Sequence, residues 1–358
     1  MIRALAHQRN RFEALAPAGA SVVSRAGRIL AACVLAGTFA LSAPAAAFAE
    51  VLESDEIGNK TVAARGLSAD ACPDIEATHA MLVGSDGTVY FSRDVNAEVK
   101  IASLTKIMTA VVALENAPLD LTVTVDNEAA TVGESSAGLL EGDTMSLETA
   151  LYALMVPSGN DAGIAIAKSV GAHMSGDAST GYDTFIAAMN AKAADLGMSH
   201  SVYTNPHGLD FDAFGDENLH SSARDVATLV SYAMQNDTFR GIVDAGSTTI
   251  TVTSADGTAR SVALQTTDEL MGVYDGICGV KTGTTDDAGY CFAGAVSRDA
   301  GEFYSVVLDS PSSDERFSDT VALMDWAYAN IAQRSLVNSD QYVEYLGAHV
   351  PLVAKVAH

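Results

Sequence analysis

The chain has 358 residues, 48% of them hydrophobic and 18% charged, which supplies a packed core and excludes a wholly disordered chain. Its formal net charge is −25; the first 49 residues hold five Arg and one acid, so the rest has 15 basic against 44 acidic side chains, net −29. A body that acidic repels phosphate backbones and anionic lipid surfaces, which argues against nucleic acid as a partner.

At the N-terminus, Arg25 and Arg28 precede an apolar run from Ile29 to Leu41, followed by Ser42-Ala43-Pro44 and Ala47-Phe48-Ala49. A basic flank, a short apolar core and an Ala-x-Ala end predict an export signal over residues 1–49 rather than a span of about 20 residues. Leu30-Ala31-Ala32-Cys33 has the form of a lipoprotein cleavage box, but Arg28 stands where its apolar core belongs, so that reading is rejected. Cleavage after Ala49 leaves Cys72, Cys278 and Cys291, which permit at most one internal disulfide. No Cys or His pair has metal-site spacing, so neither a metal nor a cofactor is expected.

Residues 50–71 are polar and without period, and read as a linker to a domain over 72–335. Ala77–Val83 and Thr88–Ser92 flank Gly84-Ser85-Asp86-Gly87, the pattern of a β-hairpin. Ser103–Glu115 has apolar residues at helical spacing, with Ser103 at the capping position. An Ala-rich middle gives four more helices, at Ser146–Val156, Asp161–Val170, Tyr182–Leu196 and Ser221–Met234. Strands follow at Thr248–Thr253, Ser261–Gln265, Gly276–Lys281, Tyr290–Val296 and Glu302–Leu308, and then a closing helix at Asp314–Asn330. Strands, helices, strands and a helix in that order predict an α+β fold, an antiparallel sheet flanked by helices with a helical insertion. The tail, 336–358, is too short for a second domain.

Three short motifs carry chemistry. Ser103-Leu104-Thr105-Lys106 places a hydroxyl and an amine one helical turn apart on one face, at a helix start that favours a developing oxyanion. Lysine is a usable base only where burial or a neighbouring cation lowers its pKa, which calls for an enclosed pocket. Ser158-Gly159-Asn160 falls in the break between two helices, where a hydroxyl and a carboxamide relay a proton or hold a carbonyl; the bland reading is a helix cap. Lys281-Thr282-Gly283-Thr284 ends a strand: Lys281 supplies a cation, Thr282 a hydroxyl, and Gly283 lets another backbone approach closely. Each motif alone is commonplace, whereas the three together in this order are specific.

A Ser-x-x-Lys, Ser-x-Asn and Lys-Thr-Gly triplet, with Asp in the middle motif, marks penicillin-binding proteins and class A β-lactamases. Over 72–335 the chain resembles the low-molecular-mass penicillin-binding proteins, the serine-type D-Ala-D-Ala carboxypeptidases. The resemblance extends through Ala102 to Ala110, Asn205-Pro206-His207-Gly208-Leu209, Ala223-Arg224-Asp225, Ala288-Gly289-Tyr290-Cys291 and Arg316-Phe317. It implies the penicillin-recognising fold, a five-stranded antiparallel sheet sandwiched by helices. It also implies Ser103 as nucleophile, Lys106 as general base, and Ser158 and Asn160 as proton shuttle and substrate holder. Lys281, Thr282, Gly283 and Thr284 would bind substrate, backbone N–H groups of Ser103 and Thr284 would form the oxyanion hole, and Arg316 is the candidate for the terminal carboxylate. The implied partners are peptidoglycan stem peptides ending in D-Ala-D-Ala, with β-lactams as covalent inhibitors, at an exported, extracytoplasmic location. Some relatives add a C-terminal β domain and an anchoring helix; with only the short tail here, membrane attachment is left open. Cys278 and Cys291 flank the turn near Thr284 and Thr285, and stand either as a cross-strand disulfide or as two small buried residues.

Three other readings compete. A class A β-lactamase requires a Glu-x-x-x-Asn segment after the middle motif, and none stands between Asn160 and Lys281. A D,D-endopeptidase would use the same residues. A non-catalytic β-lactam-sensing or wall-binding module has no need to keep both nucleophile and base, so the intact set favours the enzyme.

Overall fold

A computed structural model describes residues 52–211, 216 and 218–331; the expected export signal and C-terminal tail lie outside the described residues. In chain order come strands β1 (Glu56–Ile57) and β2 (Lys60–Thr61), one helical turn α1 (Val62–Arg65), and the hairpin β3 (His79–Gly84) and β4 (Val89–Arg93). An insertion follows, with α2 (Thr105–Asn116), β5 (Thr122–Thr124), α3 (Asn127–Thr131), β6 (Thr144–Ser146) and α4 (Leu147–Met155). It continues through α5 (Asn160–Ser175), α6 (Gly181–Asp195), α7 (Ala223–Ala233), α8 (Asp237–Val243), β7 (Thr248–Thr253) and β8 (Ala259–Leu264). The chain then returns to the main sheet as β9 (Ile277–Thr285), β10 (Gly289–Arg298) and β11 (Gly301–Ser310), and α9 (Ser313–Ile331) closes the fold.

The main sheet is antiparallel in the order β2-β1-β4-β3-β11-β10-β9, and β5-β6-β7-β8 form a second, smaller sheet. The expected five strands are present as β4-β3-β11-β10-β9, and the structure lengthens that sheet by the two short strands β1 and β2. Its central strands are buried on both faces because alternate side chains point to opposite sides. Ala80, Leu82, Phe292, Phe303 and Val307 pack with Phe317, Leu323 and Met324 of α9. Met81, Val83, Ala293, Tyr304, Val306 and Leu308 pack with α2 and the other helices of the insertion. Each large apolar side chain so buried is worth about 1.5–3 kcal/mol. A half-exposed pair such as Lys168–Asp126 contributes about 0–1 kcal/mol. The two apolar faces therefore set the position of the sheet and, with it, of the edge strand β9.

Side-chain caps fix the helix starts. Ser146, Ser222 and Asn236 each accept backbone N–H groups of the first turn of α4, α7 and α8. Two expectations are corrected. Ser103 is not a cap: it lies inside a 3-10 turn, Ala102–Leu104, that precedes α2. Within the expected linker, residues 55–65 belong to the folded body. Asp55 accepts Arg93 Nε at 2.9 Å and Nη2 at 2.6 Å, both side chains are buried, and β1 pairs with β4 beside them. That bidentate ion pair supplies what the local sequence pattern lacks. Of the two alternatives left open for Cys278 and Cys291, the structure has the unbonded one, two free thiols. The β9–β10 register sets Cys291 opposite Gly283, five residues along from Cys278, about 17 Å of strand against the roughly 7 Å that a disulfide spans.

Candidate active site

The edge strand β9 lies against the turn that carries Ser103. A Cβ on Gly283 would stand 2.8 Å from the Ile101 carbonyl oxygen and 3.1 Å from Ser103 N, so only glycine allows the approach. Ala102, immediately before Ser103, has φ 46°, and Ser158 has φ 65°, left-handed conformations that side chains rarely adopt and that cluster at functional sites.

Lys106 is fully buried on α2. Its Nζ lies 2.8 Å from Ser103 Oγ, 2.7 Å from Asn160 Oδ1 and 2.8 Å from the His207 carbonyl oxygen. The last two are pure acceptors. A neutral amine therefore gives them its two hydrogens and turns its lone pair to the Ser103 hydroxyl. Burial first, and then the charge of Lys281, hold the Lys106 pKa well below its ordinary value, with Asp161 opposing. The carboxamide of Asn160 is oriented from its other end, since Nδ2 donates to the Gly133 carbonyl at 3.1 Å.

Two loops support this pair. Asp161 accepts from Ser136 Oγ and from the backbone N–H of Ala137, Leu139 and Ala162, which ties the 136–139 loop to the start of α5. Asn205 Oδ1 accepts from the N–H of His207 and Gly208, and its Nδ2 donates to the Leu209 carbonyl, so the loop presents the His207 carbonyl to Lys106. His207 serves as a loop residue: its buried ring accepts the Leu209 N–H through Nδ1, and burial, then Lys106, lowers its pKa to about 3. A histidine kept neutral in the fold destabilises it once pH falls below the unfolded value of 6.5, progressively until about 3. His207→Asn, whose Oδ1 replaces Nδ1, is expected to flatten the fall in urea midpoint between about pH 6.5 and about pH 4; an unchanged slope would show that other groups govern acid stability. Gly208 has φ +94°, and a Cβ there would lie 1.9 Å from the Ala102 carbonyl oxygen. Gly208→Ala is expected to cost about 2–4 kcal/mol in thermal unfolding and to displace the Ser103 turn, with acylation lost alongside.

A cavity of about 540 Å³ opens over Ser103, walled by the 134–135 loop, Asn160, the 208–211 loop and residues 284–287. Thr285 Oγ1 donates to Asp210 Oδ2 at 2.7 Å and closes the wall between two of these segments. Lys281 is buried on β9, donates to the Thr282 carbonyl at 3.0 Å, and is lowered to about 7 by burial and then by Arg316, with Asp268 opposing. Thr282 exchanges a hydrogen bond with Thr267 at 2.6 Å; with Lys281 it lines a separate void of about 10 Å³ rather than the large cavity. Arg316 on α9 is also buried. It donates to Thr284 Oγ1 at 2.9 Å and the Gly283 carbonyl at 3.3 Å, and its guanidinium lies over the Phe317 ring. The structure thus joins Ser103, Lys106 and Asn160 directly, sets Gly283 and Thr284 beside them, and places Ser158 at the head of the same loop. Lys281, Thr282 and Arg316 stand off the cavity wall. Asp161 and Asp210 were not picked out from the sequence, and Asn205 stood there only within a run of the family resemblance, without a role. An acid directly after Ser-Gly-Asn was the available signal for Asp161.

A serine hydroxyl bonded to a buried amine, beside an oriented carboxamide and a strand-borne cation, defines a serine-type acyl-transfer site. The family model described as D-alanyl-D-alanine carboxypeptidase matches residues 66–312. A D-alanyl-D-alanine carboxypeptidase of Streptomyces sp. (strain K15) is 33% identical over 278 residues, covering 75% of this chain and 93% of that protein. A D-alanyl-D-alanine endopeptidase of Pseudomonas aeruginosa is 30% identical over 247 residues, covering 67% and 73%. The crystal structure of the Streptomyces K15 DD-transpeptidase superposes with a TM-score of 0.67 at 31% identity, covering 72% of this chain and 98% of that one. The chain belongs to the D-alanyl-D-alanine carboxypeptidase family.

Proposed function

We propose that the protein is an exported serine D,D-carboxypeptidase that removes the terminal D-Ala of peptidoglycan stem peptides through an acyl-enzyme on Ser103, and that penicillins acylate the same oxygen. The observation that carries this reading is the 2.8 Å contact between Ser103 Oγ and an amine that burial favours in its neutral form. Lys106 takes the Ser103 proton as Oγ attacks the carbonyl of the penultimate D-Ala. The N–H groups of Ser103 and Thr284 receive the oxyanion. The proton passes by way of Lys106 and Ser158 to the departing D-Ala amine, and water, deprotonated by the same base, hydrolyses the ester.

The family membership and the names of the relatives support the substrate class. The open edge of β9 suits an extended peptide laid alongside it. Thr284, on the cavity wall, would hydrogen-bond the terminal carboxylate, while Lys281 and Arg316, buried behind that wall, attract it by charge that is screened less than the net charge of the acidic body. The pattern of residues 1–49 supports export, and among the described residues no helix is long and apolar enough to cross a membrane.

The test is release of D-Ala from a peptide ending in D-Ala-D-Ala, with and without a glycyl amine as acceptor. Release with water as acceptor is expected. Transfer only to the amine would make the protein a transpeptidase, cleavage only of cross-linked dimers would make it an endopeptidase, and penicillin uptake without any turnover would make it a sensor.

A further inference from the structure

Lys281 and Arg316 are buried cations behind the site of the buried amine Lys106, and buried charge is costly unless countered. Asp161 acts on Lys106, but its oxygens already accept four protein donors. Asp268, in the loop ahead of β9, differs. It is 8% exposed, its Oδ1 accepts the Leu270 N–H at 2.9 Å, and its Oδ2 is buried with no hydrogen-bond partner. It shares the small void with Lys281 and Thr282, and its neighbour Thr267 bonds the Thr282 hydroxyl. The one side-chain hydrogen bond of Lys281 among the described residues goes to the Thr282 carbonyl, so no carboxylate neutralises it directly.

We propose that Asp268 is a positioning residue for the Lys281-Thr282-Gly283 strand, whose buried carboxylate keeps Lys281 cationic, so that its charge attracts the anionic end of the substrate. This rests on the carboxypeptidase reading above. The groups around Lys281 set the direction of the effect: Arg316 from α9 repels its proton and Asp268 from the preceding loop holds it, the amine of Lys106 from α2 is itself held toward its neutral form, and α4 and α8 contribute apolar side chains such as Met155 and Val243 to the void. Burial raises the Asp268 carboxyl to about 6, so the two groups titrate as a coupled pair near neutrality.

The experiment is the second-order rate of acylation of the full chain by a fluorescent penicillin, between about pH 5 and about pH 9, for wild type and Asp268→Asn. The expected result is that the alkaline fall of the rate moves about one pH unit lower in the variant, with the loss above neutrality in the binding term and the limiting acylation rate retained. Thr267→Val, which removes a hydroxyl and no charge, is expected to leave the midpoint in place. If melting shows that Asp268→Asn does not fold, Asp268→Ser, which keeps an acceptor for Leu270, is expected to give the same displacement. A variant profile with the wild-type midpoint, merely scaled down, would overturn the proposal. Absence of acylation in the wild type would instead remove the carboxypeptidase reading on which it rests.

Discussion

Ser103→Ala is expected to leave the fold intact while abolishing both penicillin uptake and D-Ala release, a fall in turnover of about 10⁴-fold or more. Ser103 sits in a tight turn whose backbone is held by Gly208 on one side and Gly283 on the other, and its hydroxyl is needed by neither contact. Truncation to Ala should therefore keep the thermal midpoint close to that of the wild type. Stopped-flow labelling with a fluorescent penicillin, read beside a melting curve, checks both halves. Labelling of Ser103→Ala at the wild-type rate would mean that another nucleophile carries the chemistry.

Lys106→Ala should reduce acylation by about 10³-fold, within the usual contribution of a positioned general base. Because burial and Lys281 lower the Lys106 pKa, its neutral form is the one present at higher pH, and the wild-type rate should rise with pH as that proton leaves. It should fall again as Lys281, lowered to about 7, loses its own proton. The variant should lose the rising limb and keep the falling one. Removing Lys106 also leaves Asn160 Oδ1 and the His207 carbonyl without their donor, a cost of about 1–3 kcal/mol each that is offset in part by no longer burying an amine. Stability is therefore expected to change far less than rate. A rising limb that survives in Lys106→Ala would assign the base elsewhere.

The chemistry was legible in the sequence because it rests on short, ordered motifs: Ser103 and Lys106 one turn apart, Asn160 at a helix start, and Gly283 on a strand that needs backbone close by. The main strands and helices were legible because their apolar periods are long. What escaped depends on pairs remote in sequence. Asp55 and Arg93 bring β1 into the sheet from a stretch with no period at all. Asp161, Asn205 and Asp210 look like ordinary loop or helix-start residues until their partners at 136–139, 207–209 and 285 are in place. The two-sided view of Cys278 and Cys291 was decided by strand register, which spacing around a turn leaves undetermined.

Intact-mass spectrometry of the protein after exposure to a penicillin, followed by peptide mapping, tests the central claim most directly. A single penicilloyl adduct on the peptide bearing Ser103 is the predicted result. No adduct, or one on any other residue, would contradict the Ser103–Lys106 mechanism.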